Sequence, residues 1–427
     1  MGEVFFHVDV NSAFLSWEAA YRVHELMDPV DLRSIASVIG GSEESRHGIV
    51  LAKSVAAKKC GIQTGEALVE ARQKCPGLVV VPPDYPLYVE CSRRLIRFLK
   101  KYSPNVEQYS IDEAFMEMTG TEHLYGQPVL FADELREMIR DRFGFTVNVG
   151  VSSNRLLAKM AGELKKPDYT HSLFPEEIPK KLWPLPVEEL FFVGRAYKKK
   201  LHLLGIRTIG ELANTDPLIL TSHFKSYGKV VRDFANGYDA PMLITDAPDN
   251  KGYGNSTTVP CDMTDPLQAD RVLLSLCETV GTRLRADRMK ARCVAVSICS
   301  FEFVRWSHQK MLPSPTDVTV EIFRAASVIF REMWNGTPIR QIGVHTGRLT
   351  HLESYQFNLF DSVRHDRLMK MDRTVDSIRK HMGEDAVFRA CFLEGPVKNM
   401  AGGLDASRRT GITKGIKDPF PDEKGPA

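Results

Sequence analysis

The sequence predicts a chain of several α+β domains, and three observations carry that expectation. Its 427 residues exceed what a single hydrophobic core organises, so two to four domains follow. Apolar runs of strand length alternate with amphipathic runs of helix length over residues 1–166 and again over 251–350, with a mostly helical stretch between. The residues are 43% hydrophobic and 26% charged, enough apolar material for real cores.

The elements follow in order. EVFFHVDV opens as a buried strand and SAFLSWEAAYRVHELM continues as a helix. GIVLAKS reads as a strand, SVAAKKCG as a short helix, EALVEARQKCPG as a helix stopped by its Pro-Gly pair, and LVVVPP as a strand. An amphipathic helix is expected over residues 88–101. NVEQYSIDEAFMEM follows as two strands around a turn, FADELREMIRDRFG as a helix and FTVNVGVSS as a strand. From about Pro167 to Gly237 the pattern becomes short helices rich in Lys and Arg, and residues 238–250, dominated by Pro, Gly and Asp, read as a linker. Residues 251–350 give helix, strand, helix, strand. A further amphipathic helix is expected over roughly 364–382, and the last twenty-five or so residues, polar and Gly/Pro-rich, are expected to be disordered.

Several classes are disfavoured. The net charge of +2 neither demands nor excludes a nucleic-acid partner, so the placement of basic residues decides. The eight cysteines form no CxxC pair and no zinc spacing, which points to reduced thiols in a cytoplasmic protein. No secretory signal is expected, because VFFHVDV runs into an acid without a preceding basic region. No apolar run reaches the roughly 18 residues of a membrane span.

The chemistry-bearing residues are acids. Asp9 ends a buried strand, and Asp112 and Glu113 lie at the middle of an apolar hairpin. A carboxylate buried without a partner costs several kcal/mol, so acids in such places are paired or metal-bound. Taken singly, Asp9 reads as a helix cap and Asp112-Glu113 as a turn. Together they read as hard oxygen ligands for Mg²⁺, and two such ions suit phosphoryl transfer. Neighbours on an ideal strand face opposite ways, so Asp112 and Glu113 share a site only if the hairpin is bent or bulged there.

DVNSAF followed by YSIDEAF resembles the Y-family DNA polymerases, the DinB/UmuC-like translesion enzymes. The resemblance continues through RHGIVLAKSVAAKKCGIQTGEAL, CPGLVVVPPDYPLY, GVSSNRLLAKMAGELKKP, FFVGRAYKKKLHLLGIRTIGEL and YGNSTTVP, so it covers nearly the whole chain. It implies a right-hand polymerase: palm at 1–10 and 78–166, fingers at 11–77, a small helical thumb with a helix-hairpin-helix at 167–237, linker at 238–250, and an α+β little finger at 251–350. Residues 351–427 would hold a clamp-binding peptide, the tail helix and a disordered end. The implied activity is template-directed, low-fidelity DNA synthesis across lesions by a monomer acting on primed template DNA and dNTPs. A rival palm-like nucleotidyl transferase or cyclase would leave the hairpin turn, little finger and clamp peptide unexplained. A non-catalytic DNA- and clamp-binding accessory factor is the alternative of a different class, against which the intact acids argue.

The resemblance also assigns residues. Asp9, Asp112 and Glu113, with the Val10 carbonyl, would hold two Mg²⁺ ions. Phe14 would be the steric gate under the incoming sugar, rejecting a 2′-hydroxyl by clash. The amides of Asn11, Ser12, Ala13 and Phe14, with Lys58 and Lys166, would bind the triphosphate. Asn11 stands where many DinB-type members have an acid, Ala13 where an aromatic is usual, and Val55 and Lys58 where Tyr and Arg are usual, which reduces bidentate phosphate grip. Ile39, Ile49 and Leu51 would lie over the nascent base pair. In the helix-hairpin-helix, an apolar helix, a turn at Val193, Gly194 and Arg195 and a basic helix with Lys198, Lys199 and Lys200 would hold a DNA phosphate, although Arg195 replaces a usual Gly. Arg285, Arg288, Lys290, Arg292, Arg305 and Lys310 would form a basic sheet face along duplex DNA. QFNLFD resembles the bacterial sliding-clamp motif, with Gln356, Phe357, Leu359 and Phe360 as anchors.

Overall fold

The structure, a computed structural model, describes residues 2–41, 48–239, 250–351, 363–393 and 398–401. The first strand, β1 (Phe5–Val10), is buried along its whole length. Ser12, in a left-handed conformation with φ 49° and ψ 50°, turns the chain into α1 (Ala13–His24). A small sheet follows, in which β2 (Ser37–Gly40) pairs antiparallel with β3 (Val50–Lys53) and, after α2 (Val55–Lys59) and α3 (Leu68–Lys74), parallel with β4 (Val79–Val81). Then α4 (Tyr85–Leu99) returns the chain to the sheet of β1. That sheet gains β5 (Val106–Gln108) and β6 (Glu113–Glu117) and, after α5 (Glu122–Tyr125) and α6 (Pro128–Phe143), β7 (Val147–Ser152). Past α7 (Arg155–Glu163), β8 (Thr170–Ser172) completes the order β5-β6-β1-β7-β8, with β1 at the centre.

The two faces of this sheet differ in chemistry, because successive strand residues point opposite ways. Phe6, Val8 and Val10, with Ala114, Met116, Val147, Val149 and Val151, join one core with Trp17 of α1, Leu95 of α4 and Leu135 of α6. The other face carries the registered rows His7–Phe115–Gly150 and Asp9–Glu113–Asn148. Helix α7 lies against this second face at Gly150, where a Cβ would stand 1.9 Å from the Ala158 carbonyl oxygen. The burial of both faces explains why β1 reads as a continuous strand, and its alternation places the polar residues together.

Residues 175–237 form a helical unit of α8 (Ile178–Lys181), α9 (Arg195–Leu203), α10 (Ile209–Asn214), α11 (Pro217–Phe224) and α12 (Ser226–Ala235). Its core contains Leu182, Leu201, Ile209, Leu212 and Leu220. The expected apolar helix before the Val193–Gly194 turn is not formed. Only α8 and two 3₁₀ turns, Pro175–Glu177 and Val187–Glu189, precede it. Pro184 and Pro186 lack the amide donors a continuous helix needs.

The second sheet holds β9 (Gly252–Met263), β10 (Met289–Ser300), β11 (Arg305–Thr316) and β12 (Ile339–His351) in the order β11-β10-β12-β9, with α13 (Pro266–Ala286) and α14 (Thr319–Met333) on one face. The sequence indicated only β10 and β12. Strands β9 and β11 are the sheet edges, with mixed exposure and with Pro260, Pro313 and Pro315 in their run, so apolar periodicity is weak there. The face away from the helices carries small and polar rows, such as Ser307–Ser297–Gly343–Ser256.

Three of the six basic residues expected along a sheet face are elsewhere. Arg285 is buried on α13, its Nε 2.5 Å from Asp376 Oδ2 of the tail helix α15 (Val363–Met382), and its Nη1 reaches Asp372 at 3.3 Å. Lys290 is buried as well, and Lys310 pairs with Glu332 of α14. Arg288, Arg292 and Arg305 are exposed. A guanidinium drawn onto two aspartates of the tail helix is unavailable to a phosphate, and spacing alone does not reveal the partner. The tail helix matches its expected range, whereas the end of the chain beyond residue 401 lies outside the described residues.

Candidate active site

The site is built where β1, β6 and α7 meet. Asp9 and Glu113 are directly opposed in the antiparallel β1–β6 register, so their side chains leave the same face of the sheet. Asp112 is in the bend just before β6, and its carbonyl accepts from the Val10 amide at 3.0 Å. The condition set by strand geometry is met by that bend, because Asp112 is not itself a strand residue.

Each carboxylate is held through one oxygen. Asp9 Oδ2 accepts from Lys166 Nζ at 2.5 Å, and Lys166 also pairs with Glu163 at 2.7 Å. Asp112 Oδ1 accepts from Ser110 Oγ at 2.6 Å. Glu113 Oε2 accepts from Lys159 Nζ at 2.5 Å and faces His7 Nε2 at 3.4 Å. The two pairs resolve differently. Burial raises the Asp9 carboxyl to about 6, outweighing Lys166. Burial would raise Glu113 too, but hydrogen bonds from His7 and Lys159 bring it down to about 2. Burial lowers His7, which is therefore neutral and donates Nε2–H, leaving Nδ1 buried without a partner.

Two contributors were not legible as site residues. Lys159 sits in the same motif as Lys166, but only the packing of α7 on Gly150 turns it toward Glu113. Asn148, fully buried, donates to the carbonyls of Gly162 at 3.0 Å and Lys165 at 2.6 Å, pinning the chain that carries Lys166. A polar residue inside VNVGVS, flanked by valines, is the one signal that pointed to it.

Phe14 is half-buried on α1, stacked on Tyr88 with centroids 4.8 Å apart and 13° between planes, and edge-on to Tyr85 at 6.2 Å. The amides of Ala13, Phe14 and Leu15 precede the first bond of the helix, from Ser16 to the Ser12 carbonyl. The Asn11 amide is not available: it donates to Thr146 O at 3.1 Å, and its side chain donates to Thr146 Oγ1. Lys58 is exposed on α2, next to Lys53, whose ammonium is lowered first by its own burial and then by the Lys58 charge. Ile39 is fully enclosed in the large core, whereas Ile49 is exposed and Leu51 half-buried.

At the helical unit, Gly194 begins α9, and Val193 is buried behind it. The amides of Arg195, Ala196 and Tyr197 precede the bond from Lys198 to the Gly194 carbonyl, so they form the anion-facing end of the helix. Lys198 itself pairs with Glu188 at 2.7 Å. Gln356, Phe357, Leu359 and Phe360 lie outside the described residues.

The impB/mucB/samB family model matches residues 8–163, the IMS family HHH motif matches 175–206, and the impB/mucB/samB C-terminal domain matches 250–359. DNA polymerase IV of Clostridium acetobutylicum is 46% identical over 395 residues, covering 92% of this chain and 99% of that protein. The chain belongs to the Y family of DNA polymerases. DNA polymerase IV of Moorella thermoacetica is 37% identical over 390 residues, covering 91% of this chain and 95% of that protein. A solved Y-family DNA polymerase chimera shares the fold with a TM-score of 0.68 over 82% of this chain and 99% of its own, at 21% identity. The mixed α+β sheets and the helical unit fit the palm, fingers, thumb and little finger architecture of that family.

Family membership implies dependence on a divalent metal, and the residues fit one in chemistry. Each of the three carboxylates has one oxygen engaged by the protein and one without a protein partner, and Asp9 stays under-compensated by its lysine. As they stand, no three such groups among the described residues are gathered closely enough to hold an ion. Lys159 and Lys166 draw Glu113 and Asp9 instead.

Proposed function

We propose that the palm carboxylates are the reactive centre of a translesion DNA polymerase that extends a primer on a template strand with dNTPs. The observation that carries this reading is the opposed pair Asp9 and Glu113 on one face of the sheet, with Asp112 in the bend that precedes β6. Asp9, Asp112, Glu113 and the Val10 carbonyl would hold two Mg²⁺ ions. Such ions supply activation of the primer hydroxyl and neutralisation of the leaving pyrophosphate. Lys166, reached from Asp9, meets the triphosphate with the amides of Ser12, Ala13 and Phe14, while Lys58 approaches from the fingers. The Phe14 ring, backed by Tyr88, admits a 2′-hydrogen and excludes a 2′-hydroxyl. The fingers span 11–77, the palm 1–10 and 78–166, the thumb 167–237 and the little finger 251–350.

The turn amides after Val193 and Gly194, with Arg195 and Lys198, hold a DNA phosphate without reading sequence. Gln356, Phe357, Leu359 and Phe360 dock on a bacterial sliding clamp and raise the enzyme's concentration at the primer end. The enzyme works as a monomer in the cytoplasm, in keeping with eight free cysteines. Among the described residues no helix is long and apolar enough to cross a membrane. The test is single-nucleotide extension of a primed template with Mg²⁺ by wild type, Asp112→Ala and Phe14→Ala. Incorporation of dNTPs by wild type alone among the first two, with ribonucleotide use by Phe14→Ala, supports the reading. A folded wild type that binds primed DNA and extends nothing overturns it in favour of an accessory factor.

A further inference from the structure

Lys159 has no place in the reading above, yet it is among the most enclosed cations of the palm. It is 8% exposed, its ammonium lies 2.5 Å from Glu113 Oε2, and the rings of Tyr109 and Phe191 flank it at 5.2 and 5.1 Å. His7 Nε2 faces the same oxygen at 3.4 Å. Both contacts fall on Oε2, so Oε1 is left without a protein partner. We propose that Lys159 is a positioning residue: with His7 it clamps one oxygen of Glu113 and fixes the carboxylate so that the other is presented to a divalent cation.

Three features support this. A carboxylate held by two donors on one oxygen loses the rotational freedom that would otherwise be lost on binding a cation. Groups that hydrogen-bond a metal's ligand set its orientation, and their removal typically lowers affinity about 10–100-fold. Lys159 is itself fixed by aromatic rings from two elements, Tyr109 in the β5–β6 turn and Phe191 before the thumb turn, so its position is set by packing.

The inference rests on the metal-ligand reading of Glu113, and the experiment separates the two. Mn²⁺ is titrated into the full chain, without DNA or nucleotide, and free Mn²⁺ is read by electron paramagnetic resonance. The proteins are wild type, Lys159→Met, Lys159→Arg, Glu113→Gln and the double variant Lys159→Met/Glu113→Gln, each checked for folding by circular dichroism. Expected are a loss of about 10-fold in affinity for Lys159→Met, recovery to within about threefold for Lys159→Arg, and a double variant no weaker than Glu113→Gln alone. Should Lys159→Met fail to fold, the neutral double variant and Lys159→Arg carry the same comparison. Wild-type or tighter binding by Lys159→Met, with Glu113→Gln weakened, overturns the positioning role alone and makes the lysine a competitor of the cation. Unchanged binding by Glu113→Gln overturns the metal reading, and this role with it.

Discussion

Asp9→Asn tests the electrostatics of the palm without reference to turnover. Asp9 is only 7% exposed, so solvent screening does little to discount its raised carboxyl. Burial moves that carboxyl from 3.8 to about 6, and at ~1.4 kcal/mol per unit the effect amounts to ~3 kcal/mol. The folded chain therefore binds this proton more tightly than the unfolded chain. With respect to Asp9, the cation-free protein is most stable below pH 4, loses stability as pH rises through 6, and changes little above that. Asn at this position removes the slope. It also frees Lys166 from one partner, but that offset does not vary over this range. Urea unfolding in EDTA between pH 4 and 8, followed by Trp17 in the core under the five-stranded sheet with the other three tryptophans replaced by Phe, reports on the unit that holds Asp9. The stability of Asp9→Asn relative to wild type should rise by ~2.4 kcal/mol from pH 4 to pH 7. Parallel profiles within ~0.5 kcal/mol would refute the claim that Lys166 under-compensates Asp9.

Other outcomes follow from the same geometry. Gly150→Ala places a Cβ 1.9 Å from the Ala158 carbonyl and 2.4 Å from the Gly162 amide, so α7 must move off the sheet. A cost of about 3 kcal/mol is expected in urea unfolding, with primer extension lost as the lysines leave the acids. Glu113 lies well below its ordinary value, so its contribution is full above about pH 4.5 and fades as pH falls toward 2. Glu113→Gln should flatten acid unfolding in that window, as read by circular dichroism. Asp376→Ala removes the shortest carboxylate contact of the buried Arg285, leaving the longer one to Asp372 and neutral acceptors such as the Asp317 carbonyl at 2.6 Å. Calorimetry should show the little finger weakened by about 3 kcal/mol, with the palm transition unmoved.

Much of the palm was legible because its signals are local. The run FFHVDV announces a buried strand and SIDEAF a hairpin with acids. Strands β9 and β11 were not legible, since edge strands are half-solvated and their polar residues obey no apolar period. Arg285 and Lys290 misled for a related reason: composition shows a basic residue but neither the carboxylate that Arg285 meets ninety residues later nor the burial of Lys290.

The sequence by itself determined which residues carry charge, that FFHVDV, NVEQYSIDEAFMEM and FTVNVGVSS supply strands, and that three acids end or interrupt apolar runs. Only the tertiary structure decided which faces those acids share. The β1–β6 register sets Asp9 opposite Glu113, and the seat of α7 on Gly150 brings Lys159 to one and the chain of Lys166 to the other. These are pairings across more than forty residues of chain, fixed by strand register and close backbone packing, and no local pattern encodes them.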